Sequence, residues 1–431
     1  MQSIQLCEGK YLYLSDYNLI INKEIKNKFS KYAFNIQKVH VYDVISAENK
    51  IKENIKDLKQ ITFEVTQNCN LRCKYCEYGD DYLYNRKRSE KELNFETAKK
   101  GIDYIFGIIK NRNKKDLAIS FYGGEPLLNF NTLSKIVKYS KKKFSDWNIH
   151  FYMTTNGTLL NEKIIEFLSS NNFRILVSLD GPEEIHDAKR VFPNGRGTFK
   201  LIMNNLNKIK RKNKLYFEKF VSFSAVWSLD LSIQKIYDFF TTNKLVSKRK
   251  VMLNRVVELD TIYYDRYPYC EDKIREEYTN ILKLIRNKIE KGKKLKTIEF
   301  YFYNSLLQQK LKVKNFTTLY GACFFNSRLF IDVDGKFHIC HMINNRFSIG
   351  DVWNGFDFKK MVRIIEEFTH LTKTYCNNCE VRFLCQKCYV TFAKNGKFKI
   401  DKKFCEKRKR TIKNALENYI KLNEEKFLWN G

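Results

Sequence analysis

The chain has 431 residues, 43% of them hydrophobic and only 4 of them proline, which excludes a disordered protein and leaves room for two or three folded domains. Lysine and arginine number 79 against 48 acidic residues, a formal net charge of +31. The basic residues are spread along the chain, which favours a solvated basic surface over a nucleic-acid site. No apolar run approaches the roughly 20 residues that span a membrane, and the N-terminus MQSIQLCEGKYLYLSD does not resemble a signal peptide. We therefore expect a cytoplasmic protein, in which cysteine clusters bind metal more often than they form disulfides.

The chain begins with a small mixed segment and continues as a long alternation of strands and helices. Residues 10–25 predict a hairpin with a short helix after it, inside a segment that ends at residue 60. Beyond it, apolar runs predict strands at 61–67, 117–124, 149–156, 173–181, 221–228 and 249–258. Helical spacing of apolar residues predicts helices at 97–110, 131–144, 161–170, 198–210, 232–241 and 271–292. Repeated strand–helix units demand a mainly parallel sheet, either open and doubly wound or closed as a barrel.

Polar, glycine-bearing segments follow the first four predicted strands. They are the loop from Cys69 to Cys76, GGEP at 123–126, TTNG at 154–157 and SLDGP at 178–182. In a parallel sheet or barrel, ligands bind at the C-terminal ends of the strands, which share one face. The four segments are therefore predicted to meet at one site.

The sequence changes character after about residue 310, where helical periodicity weakens and cysteines become frequent. Seven of the twelve cysteines lie in this part. Residues 328–340 predict a hairpin with Asp334 and Gly335 in its turn. Asp332 and Asp334 lack the remaining ligands of a calcium loop, so a plain turn is the prediction.

Cys69, Cys73 and Cys76 form a CxxxCxxC sequence with no histidine and no fourth cysteine near them. A structural zinc site fills four positions, and a catalytic zinc site commonly includes histidine or a carboxylate. A disulfide uses two thiols and belongs to an oxidising compartment. A four-iron cluster held by three thiolates has one iron open to a small molecule. The odd number of cysteines therefore favours a four-iron cluster with an open site.

This cysteine spacing after the first strand, followed in order by GGEP, TTNG and SLDGP, resembles the radical S-adenosylmethionine (SAM) enzymes over residues 61–260. The resemblance implies an α/β fold with a partial (β/α)6 TIM-like barrel, in which the open iron chelates SAM. It also implies reductive cleavage of SAM to a 5′-deoxyadenosyl radical, which abstracts a hydrogen atom.

The same resemblance implies a set of SAM contacts, since a sulfonium ligand needs acceptors and its carboxylate needs donors. The methionine amino group is expected to be lined by Gly123, Gly124, Glu125 and Pro126. Contacts to the ribose and carboxylate are expected from Asn156, Ser178 and Asp180. Arg190 is expected to reach the carboxylate, and Tyr75 is expected to pack near adenine.

The C-terminal cysteines allow two interpretations. Cys376, Cys379, Cys385 and Cys388 have a spacing that fits a zinc ribbon. With Cys323, Cys340 and Cys405 added, the pattern resembles the SPASM domain, which carries auxiliary iron–sulfur clusters. That resemblance implies one cluster on Cys376, Cys379, Cys385 and Cys405, and a second on Cys323, Cys340 and Cys388.

Two features depart from the SPASM pattern. Cys385 and Cys388 are separated by two residues where three are usual, and no cysteine lies just upstream of Cys323. The second cluster therefore has either an open iron, at which a substrate thiolate binds, or a fourth ligand from Cys7 or Cys270. As isolated cysteines, these last two are otherwise expected to be small hydrophobic residues in the core.

The two resemblances divide the chain into an N-terminal segment (1–60), a radical SAM barrel with a helical segment after it (61–310) and a SPASM domain (311–431). They imply a maturase of ribosomally made peptides (RiPPs) that carries three [4Fe-4S] clusters and installs thioether crosslinks between cysteine sulfur and carbon. The N-terminal segment is then either a leader-peptide recognition module that offers a strand edge or a cap on the barrel. An electron donor such as flavodoxin or ferredoxin is implied as a further partner.

Other outcomes of the same chemistry stay open: carbon–carbon cyclisation, epimerisation and oxidation of a sulfatase active-site residue. In sulfatase maturases an aspartate follows the cysteine that matches Cys340, and here His341 stands in that position, which disfavours that activity. A different class, a zinc-containing nucleic-acid-binding protein, would account for the charge. Iron content separates that class from the enzymes, and the sequence assigns no catalytic acid or base.

Overall fold

The computed structural model describes residues 3–14, 19–22, 40–42, 48–83, 85–258, 261–302, 315–317, 325, 327–343, 345–385 and 388–422. Its first elements form an antiparallel sheet of β1 (Ser3–Leu6), β2 (Tyr11–Leu14) and β3 (Leu19–Asn22). The pairing of β2 with β3 confirms the hairpin predicted at 10–25, while the helix predicted after it lies outside the described residues. Strand β4 (His40–Tyr42) and helix α1 (Glu48–Lys56) come before the barrel.

Parallel strands alternate with helices from residue 60 onward, as predicted. The strands are β5 (Gln60–Thr66), β6 (Asp116–Gly123), β7 (Asn148–Thr155), β8 (Arg174–Ser178), β9 (Val221–Trp227) and β10 (Val251–Arg255). The helices are α2 (Phe95–Ile109), α3 (Phe130–Lys143), α4 (Glu162–Ser170), α5 (Glu183–Lys189), α6 (Phe199–Lys212), α7 (Lys214–Phe220) and α8 (Ile233–Thr242). Each strand from β5 to β10 pairs in parallel with the next. The predicted α/β fold of a partial barrel is confirmed.

Helix α2 shows how the local sequence produces these elements. The Asn94 side chain accepts a hydrogen bond from the backbone N–H of Glu96 at 2.7 Å, which satisfies one of the free donors at the start of the helix. The positions buried in the core follow helical spacing and are Ala98, Ile102, Ile105 and Ile109. Phe106, one helical turn after Ile102, is only partly buried.

Alternation along the strands separates the hydrophobic core from the polar interior of the barrel. Phe63 of β5 and Phe121 of β6 are buried in the main hydrophobic core with the apolar faces of the helices. Successive side chains of a strand point to opposite faces of the sheet. Thr62, Glu64 and Ser120 therefore face the other side, and all three are buried there. The inner face of the sheet therefore carries buried polar side chains.

Three helices and a hairpin follow the barrel. The helices are α9 (Tyr263–Arg266), α10 (Glu271–Glu290), which confirms the helix predicted at 271–292, and α11 (Thr297–Phe302). Strand β11 (Asn315–Thr317) pairs in parallel with β4. Strands β12 (Leu329–Ile331) and β13 (Phe337–His338) form the hairpin predicted at 328–340. The sequence did not predict that β12 would also pair in parallel with β5, which gives a sheet of eight described strands in the order β10-β9-β8-β7-β6-β5-β12-β13.

The turn of this hairpin contains Asp332 and Asp334, and the Asp332 carboxylate holds its backbone. Gly335 has φ +73°, a left-handed conformation that favours glycine. The Asp332 carboxylate accepts hydrogen bonds from the backbone N–H groups of Asp334 at 3.0 Å and Lys336 at 2.9 Å, and its other oxygen lies 2.7 Å from His338 Nε2. The plain-turn prediction is confirmed.

The C-terminal part is more helical than its sequence suggested. It contains β14 (Gly350–Asp351), β15 (Gly355–Phe356), α12 (Phe358–Cys376), α13 (Tyr389–Phe392), β16 (Ala393–Lys394), β17 (Lys397–Phe398) and α14 (Lys402–Leu422). In α12 the buried Met361, Ile364, Ile365 and Phe368 do have helical spacing, so the expectation of weak periodicity was wrong there.

The N-terminal sheet packs against α14, the last described helix. Leu6 and Tyr13 of the N-terminal sheet share a hydrophobic cluster with Ile412 and Leu416 of α14. No helix in the described part of the chain is long and apolar enough to cross a membrane. The boundaries predicted at residues 60 and 310 stay predictions.

Candidate functional site

The loop after β5 carries the three cysteines and is fixed by the segment after α5. The backbone N–H of Arg72 donates to the carbonyl of Val191 at 2.7 Å, and that of Lys74 to the carbonyl of Lys189 at 2.9 Å. Thiols and not disulfides stand at all three cysteine positions.

Burial affects the cysteines of this loop strongly. It raises the pKa of Cys69 to about 11 and that of Cys73 to about 12, and the neighbouring thiols of the loop contribute to both shifts. The three side chains are thus near neighbours, and the guanidiniums of Arg88 and Arg190 offset the effect of burial on Cys69 and Cys73 only in part. Thiolates at such a position are stabilised by a metal ion, and the donor set fits three irons of a cluster.

The GGEP segment after β6 packs against the backbone at the start of the cysteine loop. The N–H of Gly124 donates to the carbonyl of Thr66 at 2.8 Å, and the N–H of Glu125 donates to the carbonyl of Asn68 at 2.9 Å. A Cβ atom on Gly123, whose φ is +133°, would lie 2.1 Å from the Thr66 oxygen, and one on Gly124 would lie 1.9 Å from the Asn68 oxygen. Both glycines are therefore required for the close approach of two backbones.

The carboxylate of Glu125 joins GGEP to the TTNG segment after β7. One oxygen accepts hydrogen bonds from the Leu127 N–H at 3.1 Å and the Thr155 hydroxyl at 2.8 Å, and the other accepts from the Asn156 N–H at 2.7 Å. Burial raises the pKa of Glu125 to about 7. Pro126 begins a buried 3-10 turn, Pro126–Asn129, directly afterwards. Donors of the protein itself thus already bind the Glu125 carboxylate. The contact of Glu125 with SAM stays a prediction.

A closed ring of hydrogen bonds lies beside Cys69. The Asn156 side-chain amide donates to Asn70 Oδ1 at 2.8 Å, Asn70 Nδ2 donates to the Thr158 hydroxyl at 2.8 Å, and that hydroxyl donates to Asn156 Oδ1 at 2.7 Å. Asn156 Nδ2 lies 3.9 Å from Cys69 Sγ. The sequence pointed to Asn156 but not to Asn70, although Asn70 directly follows the first cysteine of the motif.

Asp180, Arg190 and Tyr75 form one buried network on the other side of the loop. Asp180 accepts hydrogen bonds from the Tyr75 hydroxyl, from Arg190 Nε at 2.9 Å and from the Val226 N–H at 2.9 Å. Arg190 Nη1 lies 3.8 Å from Cys73 Sγ. Burial lowers the pKa of Arg190, but the nearby Asp180, Tyr75 and Cys73, together with the hydrogen bond to Asp180, raise it above its usual value.

Tyr75, Asp180 and Arg190 therefore lie in one network. The sequence predicted Tyr75 as a contact of the adenine of SAM, Asp180 as a contact of its ribose and carboxylate, and Arg190 as a contact of its carboxylate. Ser178, the last residue of β8, is buried close by in the chain. The individual contacts of these four residues with SAM stay predictions.

Four of the C-terminal cysteines come together. Cys376 ends α12, Cys379 and Cys385 lie in the following turns, and Cys405 is on α14. Burial raises the pKa of Cys405 to about 11, with further contributions from the other three thiols. This is the set predicted to hold one auxiliary cluster, and its ligand role stays a prediction.

The second predicted set is only partly described. Cys323 lies outside the described residues. Cys340 follows β13, and Cys388 precedes α13. Of the suggested additional ligands, Cys270 is exposed, while Cys7 packs against the same hydrophobic cluster as Cys379 and Cys385. The expectation of a core position was wrong for Cys270, and the ligand set of this site stays a prediction.

Glu77 directly follows Cys76, and His341 directly follows Cys340. We call Glu77, Tyr122 and His341 the central polar group. The ring centres of Tyr122 and His341 are 4.5 Å apart. Burial raises the pKa of Tyr122, and the charges of Glu77, Cys76 and Cys340 add to that shift in this order. Burial also raises the pKa of Glu77 to about 7 and lowers that of His341 to about 3. Tyr122 is therefore close to both cysteine sites.

Sequence analysis did not find Glu77 or Tyr122. The available signals were weak: Glu77 directly follows the last cysteine of the motif, and Tyr122 stands two positions before Gly124 on the inner face of β6. Glu64, fully buried on the neighbouring strand, was missed as well. It accepts hydrogen bonds from the Tyr78 hydroxyl at 2.6 Å and the Val333 N–H at 3.2 Å, and so joins the cysteine loop to the C-terminal hairpin.

Comparison with known proteins agrees with this geometry. Residues 63–220 match the model of the radical SAM superfamily. An uncharacterised protein of Methanocaldococcus jannaschii is 32% identical over 220 residues, which are 47% of this chain and 72% of that protein. The chain belongs to the radical SAM superfamily. SAM and a radical SAM iron–sulfur cluster are therefore implied for it, and the assignment of the cluster to Cys69, Cys73 and Cys76 stays a prediction.

Two further likenesses concern sulfatase maturases. A cysteine-type anaerobic sulfatase-maturating enzyme of Clostridium novyi is 31% identical to the radical SAM chain over 188 residues, 43% of this chain and 48% of that enzyme. The match thus spans about half the length of that relative. A solved structure described as native anSMEcpe with bound AdoMet and Kp18Cys peptide superposes with a TM-score of 0.63 at 18% identity, covering 86% of this chain and 98% of that one. At this identity the likeness shows a shared fold.

Proposed function

We propose that this radical SAM enzyme modifies a residue of a peptide or protein that binds between the Cys69–Cys76 loop and Cys340. The observation that carries the proposal is the position of Tyr122, whose ring centre lies 4.5 Å from that of His341, the residue after Cys340. The charges of Cys76 and Cys340 both contribute to the raised pKa of Tyr122. A substrate residue beside Tyr122 is within reach of both cysteine sites. A peptide is the proposed substrate because a structure of the same fold holds a peptide together with AdoMet.

Cys69, Cys73 and Cys76 would hold a cluster that would supply the electron for cleavage of SAM into methionine and a 5′-deoxyadenosyl radical, and this radical would abstract a hydrogen atom from the substrate. The chain's own residues fix the geometry of this site. Arg190 lies against Cys73, Asn156 lies against Cys69, and the Glu125 carboxylate fixes the backbone of Asn156. We assign the amino group of SAM to the GGEP backbone, and its ribose, carboxylate and adenine to Asn156, Ser178, Asp180, Arg190 and Tyr75.

The modification that we propose is a thioether crosslink between a cysteine sulfur of the peptide and a carbon of another residue. Its support is the odd cysteine of the second auxiliary set, because Cys323, Cys340 and Cys388 leave one iron of a cubane open to a substrate thiolate. Two auxiliary clusters, a leader-bearing precursor peptide and an electron donor of the flavodoxin or ferredoxin type belong to this proposal.

Oxidation of a cysteine or serine in a sulfatase is the second candidate. The likeness to sulfatase-maturating enzymes in sequence and fold favours it. His341, in place of an aspartate after Cys340, disfavours it: burial lowers the pKa of His341 to about 3, so this ring is neutral at physiological pH and lacks the negative charge of a carboxylate.

Peptide assays distinguish the two candidates. The reconstituted enzyme, SAM and dithionite are incubated anaerobically with a cysteine-rich peptide encoded beside the gene, or with a sulfatase-derived peptide that contains cysteine or serine. A thioether product loses two hydrogen atoms and no longer reacts with iodoacetamide. A formylglycine product reacts with a hydrazide. Formation of 5′-deoxyadenosine with neither peptide changed would contradict both candidates.

A further inference from the structure

The cysteine loop exposes two cations, one on each side of Cys73. Arg72 and Lys74 are both exposed, while Cys73 between them is partly buried. Arg72 Nη1 donates to the carbonyl of Cys69 at 2.6 Å and to that of Leu71 at 2.9 Å, so its guanidinium is held at the backbone of the loop. The proposed mechanism gives neither cation a role.

A short hairpin between α5 and α6 adds a third cation and two apolar side chains. Its two arms meet at a bridge between Val191 and Gly197, and the N–H of Phe192 donates to the carbonyl of Arg196 at 2.9 Å. Arg196 is exposed, and its guanidinium carbon lies 5.8 Å from the ring centre of Phe192. Val191 and Phe192 are partly exposed. The hairpin therefore presents apolar surface beside a cation.

Backbone hydrogen bonds fix this hairpin against the cysteine loop. The N–H of Arg72 donates to the carbonyl of Val191 at 2.7 Å, and the N–H of Lys74 donates to the carbonyl of Lys189 at 2.9 Å. Cys73 lies between the two donors, so the loop and the hairpin form one continuous surface around it. We call this surface the basic face, and its residues are Arg72, Lys74, Val191, Phe192 and Arg196.

The carboxylates beside the basic face are engaged by other groups. Asp187 Oδ1 accepts hydrogen bonds from the backbone N–H groups of Thr198 at 2.7 Å and Phe199 at 2.9 Å, at the start of α6. Asp230 pairs with the buried Lys189 at 2.8 Å. In the part of the chain that the structure describes, no carboxylate forms an ion pair with a cation of the basic face. Its positive charge is therefore available to a partner.

We propose that the basic face is the docking surface for a small acidic electron-transfer protein of the flavodoxin type, which reduces the cluster at Cys69, Cys73 and Cys76. The inference rests on the proposed function in taking such a donor as a partner. Opposite charges steer two proteins together and fix their orientation, and a short-lived electron-transfer complex needs only a small interface. Docking on the loop that carries the cysteines keeps the path of the electron short. In each encounter the reduced donor loses one electron and the cluster gains it, with no bond made or broken.

The first test measures binding without catalysis. A purified, oxidised flavodoxin of net negative charge is titrated onto the full-length, reconstituted enzyme by surface plasmon resonance, at low and at high salt. At about 0.05 M salt the double variant Lys74→Glu with Arg196→Glu is expected to bind about tenfold more weakly than the unsubstituted enzyme. At about 0.5 M salt the difference should nearly vanish, because salt screens the charges. Lys74→Arg with Arg196→Lys keeps both charges and should bind like the unsubstituted enzyme.

The second test compares two reductants in the cleavage of SAM at low salt. With photoreduced flavodoxin, the double variant should form 5′-deoxyadenosine about tenfold more slowly than the unsubstituted enzyme. With dithionite, a small reductant that needs no docking surface, the two rates should be equal. Lys138→Glu with Lys142→Glu is the matched control, because it reverses two exposed charges on α3, and it should change neither rate.

Three results would overturn the inference: unchanged binding of flavodoxin to the double variant, equal weakening in the α3 control, or equal loss of rate with both reductants. The first two would show that the basic face does not select the donor, and the third would place the effect at the cluster itself. Neither test contains a peptide. The inference can therefore fail while modification of a peptide is observed, and the proposed modification can fail while flavodoxin binds as expected.

Discussion

The ring of Tyr122 lies 4.5 Å from the imidazole of His341, centre to centre. This contact joins the second strand of the barrel to the turn that carries Cys340, more than two hundred residues later in the chain. It follows from the pairing of β12 with β5, which brings the C-terminal hairpin against the open edge of the barrel sheet. The radical SAM site and the proposed auxiliary site are therefore parts of one packed unit.

Substitution of Gly124 by alanine is expected to destabilise the fold and impair iron incorporation. The new Cβ would lie 1.9 Å from the Asn68 carbonyl oxygen, and relief of such a clash in a packed region costs about 1–3 kcal/mol. Gly107→Ala is the matched control, because Gly107 lies within α2 with no atom within 4 Å of a Cβ, and the change should stabilise the helix by up to about 1 kcal/mol. Chemical denaturation and iron analysis of both variants measure the effects. Equal stability of the two would contradict the close backbone approach.

Removal of one partner of the Asp180–Arg190 pair is expected to be severely destabilising. Asp180→Asn leaves a buried guanidinium without its carboxylate, which costs about 3–5 kcal/mol. The double variant Asp180→Asn with Arg190→Gln should recover part of that loss, because no uncompensated charge remains. Glu184→Gln, which breaks the exposed pair with Lys235, should change the unfolding free energy far less. Additive effects of the two buried substitutions would show that these groups do not interact.

The stability of the folded chain is expected to fall as pH rises from about 4.5 to about 7 through the titration of Glu125. The folded state holds the proton more tightly, because burial raises the pKa of Glu125 from 4.5 to about 7. Ionisation in this window therefore favours the unfolded state, and the contribution is constant above it. Glu125→Gln should flatten this part of the profile, with a remainder from Glu77, whose pKa is raised in the same direction. Denaturation of the metal-free protein between pH 5 and pH 8 measures the slope, and an unaltered slope in the variant contradicts the assignment.

Cys405→Ala is expected to remove one auxiliary cluster, which lowers the iron content by about four per chain. The basis is the convergence of Cys376, Cys379, Cys385 and Cys405. The Cys69 site should keep its EPR signal and its response to SAM. Loss of zinc with unchanged iron in this variant would instead identify a zinc ribbon.

The barrel could be predicted from sequence because its strands and helices follow from patterns among neighbouring residues. Apolar runs, helical spacing and the glycine-bearing segments after the first four strands each report on a few neighbouring residues, and the predicted strand limits differ from the observed ones by only a few positions. The order of the motifs also predicted that GGEP and TTNG lie against the cysteine loop. The hydrogen bonds of Gly124 and Glu125 to the backbone just before that loop, and of Glu125 to Asn156, confirm this.

The central polar group could not be predicted because it depends on contacts between distant parts of the chain. His341 meets Tyr122 only because β12 joins the barrel sheet, and a strand of three residues leaves little trace in a sequence. Arg86 is a further example, since its guanidinium donates to the carbonyl of His341 and lies over the ring of Phe330, both of which are distant in the chain. The sequence pointed to the cysteines and to Asn156 and Arg190 beside them, but not to the contacts that the C-terminal hairpin makes with the barrel.

The central claim is that Cys69, Cys73 and Cys76 hold the cluster that cleaves SAM, and the formation of 5′-deoxyadenosine tests it most directly. The anaerobically reconstituted enzyme is incubated with SAM and dithionite, alongside Cys73→Ala and, as a control for loss of any thiol, Cys270→Ala, whose side chain is exposed. The account predicts 5′-deoxyadenosine from the unsubstituted enzyme and from Cys270→Ala, and none from Cys73→Ala. Iron-loaded enzyme that leaves SAM intact, or equal product from Cys73→Ala, would contradict it.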